Sequence, residues 1–273
     1  MQTEIYDNTT RYPRMGTDDD LFCRLTEYIS LFDKGWIDRI KPASKEQIFE
    51  LKEISKLEER YKLELPKSYE IFLSTMGSND GGLLSNAHSG NSDVESIIEI
   101  YKEFHQFSPY NNPNVGHCFS FFVGFEQQFS FDFSRKHSEN VVKTDWGEFI
   151  CVESENFEKF LFQAAFFRFE LYTFSECFTS SSDDIKAKTQ RIDMEDIFEV
   201  VLEIADSIAK EYGLKKAWFS DFNTYIALGC NCSFRIQRWN EEGAAYGSVS
   251  GDNQEVVKSI LNILIAKLGF RST

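Results

Sequence analysis

Side chains able to do chemistry are plentiful in this sequence, but few are spaced for it. His88, His105, His117 and His137 recur at no fixed interval. His117 adjoins Cys118, yet neighbours on a strand point to opposite faces, which works against shared metal ligation. Cys230 and Cys232 would share a strand face, but a redox or metal role needs further soft ligands that the sequence does not place beside them. Two small packed side chains is the favoured reading. A phosphate-cradling Gly-rich loop followed by Lys-Ser or Lys-Thr does not occur, nor do H-E-x-x-H, H-x-E with P-C-x-x-C, or C-x-x-C. Gly243, Gly247 and Gly251 fall in and after a hairpin, where turns and close packing account for them.

Carboxylates are the remaining resource, with 44 Asp and Glu. Asp132, Asp145 and Glu148 lie on or beside strands and face either a cleft or the solvated side of a half-buried sheet. The solvated side is favoured. No nucleophile, base and orienting group assemble, so no catalytic residue, metal or cofactor is assigned, and the chain is read as non-enzymatic.

Composition sets the class. The formal charge is −15, from 29 Lys and Arg against those 44 acids. Such a field repels phosphate backbones and anionic lipid while attracting basic partners, so neither nucleic acid nor membrane is expected as a partner. The 27 phenylalanines supply large rigid side chains for a packed core. Residues 1–14 lack a signal-peptide pattern, and the apolar stretch from Phe157 to Phe174 is broken by charges at Glu158, Lys159, Arg168 and Glu170. The six cysteines form no framework. A cytoplasmic location with reduced thiols is expected.

The positioning elements follow from period and caps. A short helix is predicted through Leu21, Leu25, Tyr28 and Leu31, after the acidic run Asp18-Asp19-Asp20. Ser44 with Gln47 forms a capping box for a helix carrying Ile48, Leu51, Ile54, Leu57 and Tyr61 on one face. Pro66 starts the next helix, with Tyr69, Phe72, Leu73 and Met76, and Gly77 is its expected left-handed exit. Ser92 with Glu95 signals a third helix through Val94, Ile97, Ile98 and Tyr101. Strands are then expected at Phe119–Val123 and Phe129–Phe133. A hairpin follows around Trp146-Gly147, and a covering helix from Phe157. Residues 175–192 read as a polar linker. Beyond them come a helix from Ile197 to Gly213, four short strands and a last helix through Val257, Ile260, Leu264 and Leu268. The fold class is α+β: helices packed on one side of a mainly antiparallel sheet, with a second smaller α+β unit at the C-terminus.

One segment is more specific. Ile40-Lys41-Pro42-Ala43-Ser44 leads into Ile48 and Leu57-Glu58, then Leu63-Glu64-Leu65-Pro66-Lys67-Ser68-Tyr69, Phe72-Leu73 and Met76-Gly77. This resembles the opening of SUKH superfamily domains, and Phe129-Ser130-Phe131-Asp132, Val141-Val142, Trp146-Gly147 and Phe157–Leu161 look like the family's later strands and closing helix. Two departures stand out. The turn Gly77–Gly82 is longer than the family's compact Asn-Gly-Gly, and residues 190–273 fall outside the pattern. The chain is accordingly divided into a lead-in over 1–36, a SUKH-like domain over 37–175 and a C-terminal unit over 190–273.

The resemblance implies function by protein binding. Bacterial members of that superfamily commonly neutralise polymorphic toxins, and fungal relatives act as regulatory scaffolds. The expectation is an immunity protein that binds a toxin directly, with a basic nuclease-type toxin suited to the charge. A regulatory scaffold binding a host protein is the alternative, ahead of an enzyme using scattered carboxylates. The face assigned to the partner combines Asn79, Asp80, Asp93, Glu95, Asp132, Asp145, Trp146 and Glu148. The acids would steer, and Trp146 either anchors the contact or packs in its own hairpin.

Overall fold

The computed structural model describes residues 13–56, 65–107, 118–124, 128–133, 140–145, 148–169, 174–190, 196–229, 231–239 and 243–272. They form two compact units, Arg14–Glu170 and Leu171–Thr273 together with Met1–Pro13. Both are α+β, with antiparallel sheets.

In the first unit, α1 (Leu21–Ser30) turns Leu21, Leu25, Tyr28 and Ile29 inward, so the N-terminal lead-in from Arg14 onward belongs to this unit. β1 (Ile40–Lys41) precedes α2 (Lys45–Lys56). The expected capping box is present: the Ser44 N–H donates to Gln47 Oε1 at 2.9 Å and the Gln47 N–H to Ser44 Oγ at 3.1 Å. α3 (Lys67–Met76) buries Tyr69, Phe72, Leu73 and Met76. Gly77 leaves it with φ −69, not left-handed; a side chain there would meet the Leu73 carbonyl at 2.6 Å. β2 (Asn79–Asp80) pairs with β1, α4 (Leu84–His88) follows, and β3 (Gly90–Asn91) leads to α5 (Val94–Phe107). Asp93, and not Ser92, caps α5, with its Oδ1 accepting the Ser96 N–H at 2.8 Å.

Four further strands complete a five-stranded sheet in the order β3-β4-β5-β6-β7: β4 (Cys118–Gly124), β5 (Gln128–Asp132), β6 (Val141–Asp145) and β7 (Glu148–Ser154). The expected alternation in β4 is interrupted. The register slips between Ser120 and Phe122, and the rings of both Phe121 and Phe122 reach the aromatic cluster. A bulge of this kind adds one residue to one strand and re-aims its neighbours. The Tyr101 hydroxyl serves the bulge, accepting from the Ser120 N–H at 2.7 Å.

α6 (Phe157–Phe169) carries buried apolar residues on every side, with Glu158, Lys159 and Arg168 half-buried among them, and touches α1, α3, α4 and β7. A helix without a polar face belongs in an interior. Around it Tyr69, Phe121, Phe131, Phe157 and Phe160 pack edge-to-face and offset, with Tyr69 and Phe131 centroids 5.2 Å apart. Arg24 of α1 is buried as well. It pairs with Asp20 at 2.7 Å and with Glu158 of α6 at 2.5 Å, and donates to the Thr17 carbonyl at 2.8 Å.

The segment expected to be a linker is structured. β8 (Phe174–Ser180) is an inner strand of the second sheet, and α7 (Ser182–Thr189) is capped by the Ser181 hydroxyl. The serines that suggested a loop are a strand end and a helix cap, roles for which the same residues are favoured. α8 (Ile197–Glu211), β9 (Lys215–Lys216), β10 (Thr224–Leu228), β11 (Cys232–Arg238), β12 (Ala245–Gly251), α9 (Gln254–Leu268) and β13 (Arg271–Ser272) follow. The sheet order is β13-β8-β12-β11-β10-β9. Ile197, Val201 and Ile208 of α8 and Val257, Ile260 and Leu264 of α9 bury with Phe178, Phe234, Ile236 and Val249 from the strands. The sheet edge at β10 is blunted by the two lysines of β9 and by Ser220, whose hydroxyl accepts the Ile226 N–H at 3.0 Å.

Candidate functional site

The residues assigned to a partner separate into an exposed group and a buried group. The division starts at the turn after α3. Asp80 is 4% exposed. Its Oδ1 accepts from the N–H groups of Gly82 at 2.8 Å and Leu83 at 3.1 Å, and from Ser85 Oγ at 3.2 Å. Its Oδ2 accepts from the N–H groups of Leu84 at 2.7 Å and Ser85 at 3.2 Å, and from Ser92 Oγ at 2.8 Å. A carboxylate has about four lone-pair sites, so this one is saturated by its own loop. Asp80 is therefore corrected from a partner contact to the organiser of the turn. Gly81 and Gly82 take φ +66 and +83 there, a backbone that only glycine adopts without strain.

Asn79 stays exposed, with its Oδ1 accepting the Gly81 N–H at 2.8 Å. The Val94 N–H donates to the Gly77 carbonyl at 2.8 Å and fastens the start of α5 to the same turn. Asp93, half-buried as the cap, and Glu95, exposed in the first turn, thus lie at one end with Asn79. The structure brings these three together. Acidic side chains at a helix start also complement its dipole, which accounts for part of their placement.

Asp132 is corrected too. It is 4% exposed at the end of β5, a strand whose five residues are all buried, so the expected solvated face does not exist there. Its row includes Ser130, whose hydroxyl lies 2.8 Å from Ser120 Oγ and 3.3 Å from Thr144 Oγ1. Asp145 and Glu148 pair across the end of β6 and β7, but their side chains, and the whole of Trp146, lie outside the described residues.

α2 carries further acids outside the face assigned from the sequence. Glu46 and Glu53 are exposed, and Glu50 pairs with Lys102 of α5 at 2.5 Å, tying the two helices side by side. Glu95, Glu99 and Glu103 are exposed on α5. Their off-stripe positions are visible in the sequence; the adjacency of two helices forty residues apart is not. Between Arg14 and Glu170 there are 27 Asp and Glu against 17 Lys and Arg, so this unit carries most of the net negative charge.

What these residues offer chemically is exposed negative charge. Among the described residues no three His, Cys, Asp or Glu are grouped to hold a metal, and no described cysteine forms a disulfide. His88 stacks on Phe160 with centroids 5.3 Å apart, a packing role; His117, His137 and Cys230 lie outside the described residues. No described helix is long and apolar enough to cross a membrane. Comparison with protein-family models, curated proteins and solved structures finds no match to this chain.

Proposed function

We propose that the chain is a non-catalytic, cytoplasmic immunity protein that neutralises a basic, nuclease-type toxin by binding it directly. The observation that carries this reading is the gathering of Asn79, Asp93 and Glu95 at the start of α5, on a unit with a strong excess of carboxylates. An acidic face of this kind accelerates encounter with a cationic partner and competes for the lysines and arginines with which a nuclease grips phosphate. The resemblance of residues 37–170 to SUKH domains supports the same reading.

The test is co-expression with basic nuclease toxin domains taken from genes neighbouring its own. Restored growth, with recovery of a one-to-one complex and loss of nuclease activity in that complex, is the expected result. Unrelieved toxicity with the folded protein present in excess would remove the immunity reading.

A further inference from the structure

β8 has a strand on each side, but only one of them runs its whole length. β12 pairs with every residue from Phe174 to Ser180 in an unbroken register. β13 covers only the far end, with Arg271 opposite Thr179 and Ser272 opposite Phe178. Along Phe174–Cys177 the outer edge of β8 therefore has no strand beside it among the described residues. Alternate residues of a strand turn their N–H and C=O to opposite sides, so half of this stretch points them outward. No backbone hydrogen bond from a described turn or loop takes them up. Native sheets blunt such edges with a proline, a lysine or a bulge, and this stretch has none of these. Its side chains divide by face. Ser175 and Cys177 are exposed on the side away from the helices, while Phe174 and Glu176 are half-buried on the helix side, in the row of Phe178. Phe174 packs at the margin of the core, and Glu176 has no ion pair or hydrogen-bond partner for its carboxylate among the described residues.

We infer that the outer edge of β8 over Phe174–Cys177 is a docking site for an extended segment of a basic partner protein, added antiparallel as a further strand in line with β13. This deepens the protein-binding reading above and rests on it, but the edge can be tested apart from any toxin. Backbone hydrogen bonds supply the attachment, and the side chains across the pair choose the occupant. Running in the direction of β13, the segment sets successive residues opposite Cys177, Glu176, Ser175 and Phe174. Opposite charges directly across a strand pair stabilise it, so a Lys or Arg belongs opposite Glu176. The −15 charge of the chain draws the same kind of partner. The one cation of β13, Arg271, is engaged by Asp184. An apolar β-branched residue belongs opposite Phe174, where it extends the core side of the sheet, and small polar residues face Ser175 and Cys177. A second copy of this chain pairing through the same edge would bring a carboxylate and no cation to the contact, which disfavours it.

The experiment uses the full chain, labelled with nitrogen-15, titrated with a capped six-residue peptide beginning Thr-Lys-Thr-Val. Amide shifts should concentrate on 174–177. Methylating one alternate set of peptide nitrogens should abolish binding, and methylating the other set should leave it nearly unchanged, because a strand bonds to one neighbour through every second residue. Glu176→Lys, with an unchanged thermal melt, should weaken this peptide by about fivefold and favour one with glutamate in place of the lysine. Shifts centred on other acids, such as Asp183–Asp184 or Asp252–Glu255, equal effects of the two methylated sets, or an unaltered preference in Glu176→Lys would overturn the inference. A doubled mass in light scattering, with the 174–177 amides shifting on dilution, would also overturn it, by giving the edge to a second copy. Peptide docking on β8 without toxin neutralisation would remove the immunity reading and keep the edge. Neutralisation by wild type, with the peptide mapping elsewhere, would do the reverse.

Discussion

The indole N–H of Trp36 donates to the backbone carbonyl of Asp80 at 3.0 Å, while the Asp80 carboxylate gathers the amides of residues 82–85. Both ends of one buried residue are thereby used to hold the turn that presents Asn79. A side chain on Gly81 would meet the Trp36 indole at 2.6 Å, so the approach also requires glycine.

Asp80→Ala strands the amides of Gly82, Leu84 and Ser85 and two hydroxyls in a partly buried loop, while the Leu83 N–H keeps the backbone carbonyl of residue 80 at 3.2 Å. The expected loss is about 2–4 kcal/mol, since each unmet buried donor costs about 1–3 kcal/mol and part of the loop gains water. Asp80→Asn should lose less. Urea unfolding of the two variants against wild type measures this, and an Asp80→Ala variant as stable as wild type would return the carboxylate to the surface group.

The Tyr69 hydroxyl is buried among phenylalanines without a hydrogen-bond partner among the described residues, and burial pushes its pKa well above the ordinary phenol value. Tyr69→Phe should therefore be neutral or stabilising by up to about 1 kcal/mol. Tyr69→Ala should cost about 3–5 kcal/mol through the cavity it leaves. Calorimetric melts of the pair decide the matter: a marked loss in Tyr69→Phe would mean that the hydroxyl is satisfied.

Asp20 carries a pH dependence. The Arg14 guanidinium beside it, at 2.6 Å, holds its carboxyl down at about 2, with a further hydrogen bond from Arg24. Because the folded pKa lies below the unfolded one, its contribution is present above the usual carboxylate range near 3.8 and disappears as pH falls toward 2. Acid titration followed by circular dichroism should show Asp20→Asn already lacking this contribution at neutral pH and losing less between pH 4 and 2. Parallel curves for the two proteins would show that the pairing does not contribute to stability.

For capture of a basic toxin, charge reversal at Glu46, Glu95 and Glu99 together should slow association by about tenfold at low salt and flatten its salt dependence. Stopped-flow fluorescence at rising ionic strength reads both effects, and dissociation should change much less. Unaltered association by the folded triple variant would place the encounter face elsewhere.

Much of the local structure was legible. The Ser44–Gln47 capping box, the stripe Leu51–Ile54 and the hairpin of β11 and β12 are written in contiguous residues, where cap chemistry and side-chain period act over one or two turns. The same local reading failed at β8 and α7, because serines and aspartates favour loops and helix caps alike, and only the pairing of β8 with β12 separates the two. It failed also at Ser120–Phe122, where a bulge broke an apparently regular alternation.

What the sequence determined alone is the α+β class, most helix positions and the negative charge, since these depend on composition and short-range spacing. Tertiary structure decided which carboxylates remain exposed. Asp80, Asp132 and Glu95 are indistinguishable as acids in a sequence, yet the first is consumed by its own turn, the second lies in a strand buried throughout, and the third stands in water. Exposure is set by the segments that fold over a residue, and those are remote in the chain.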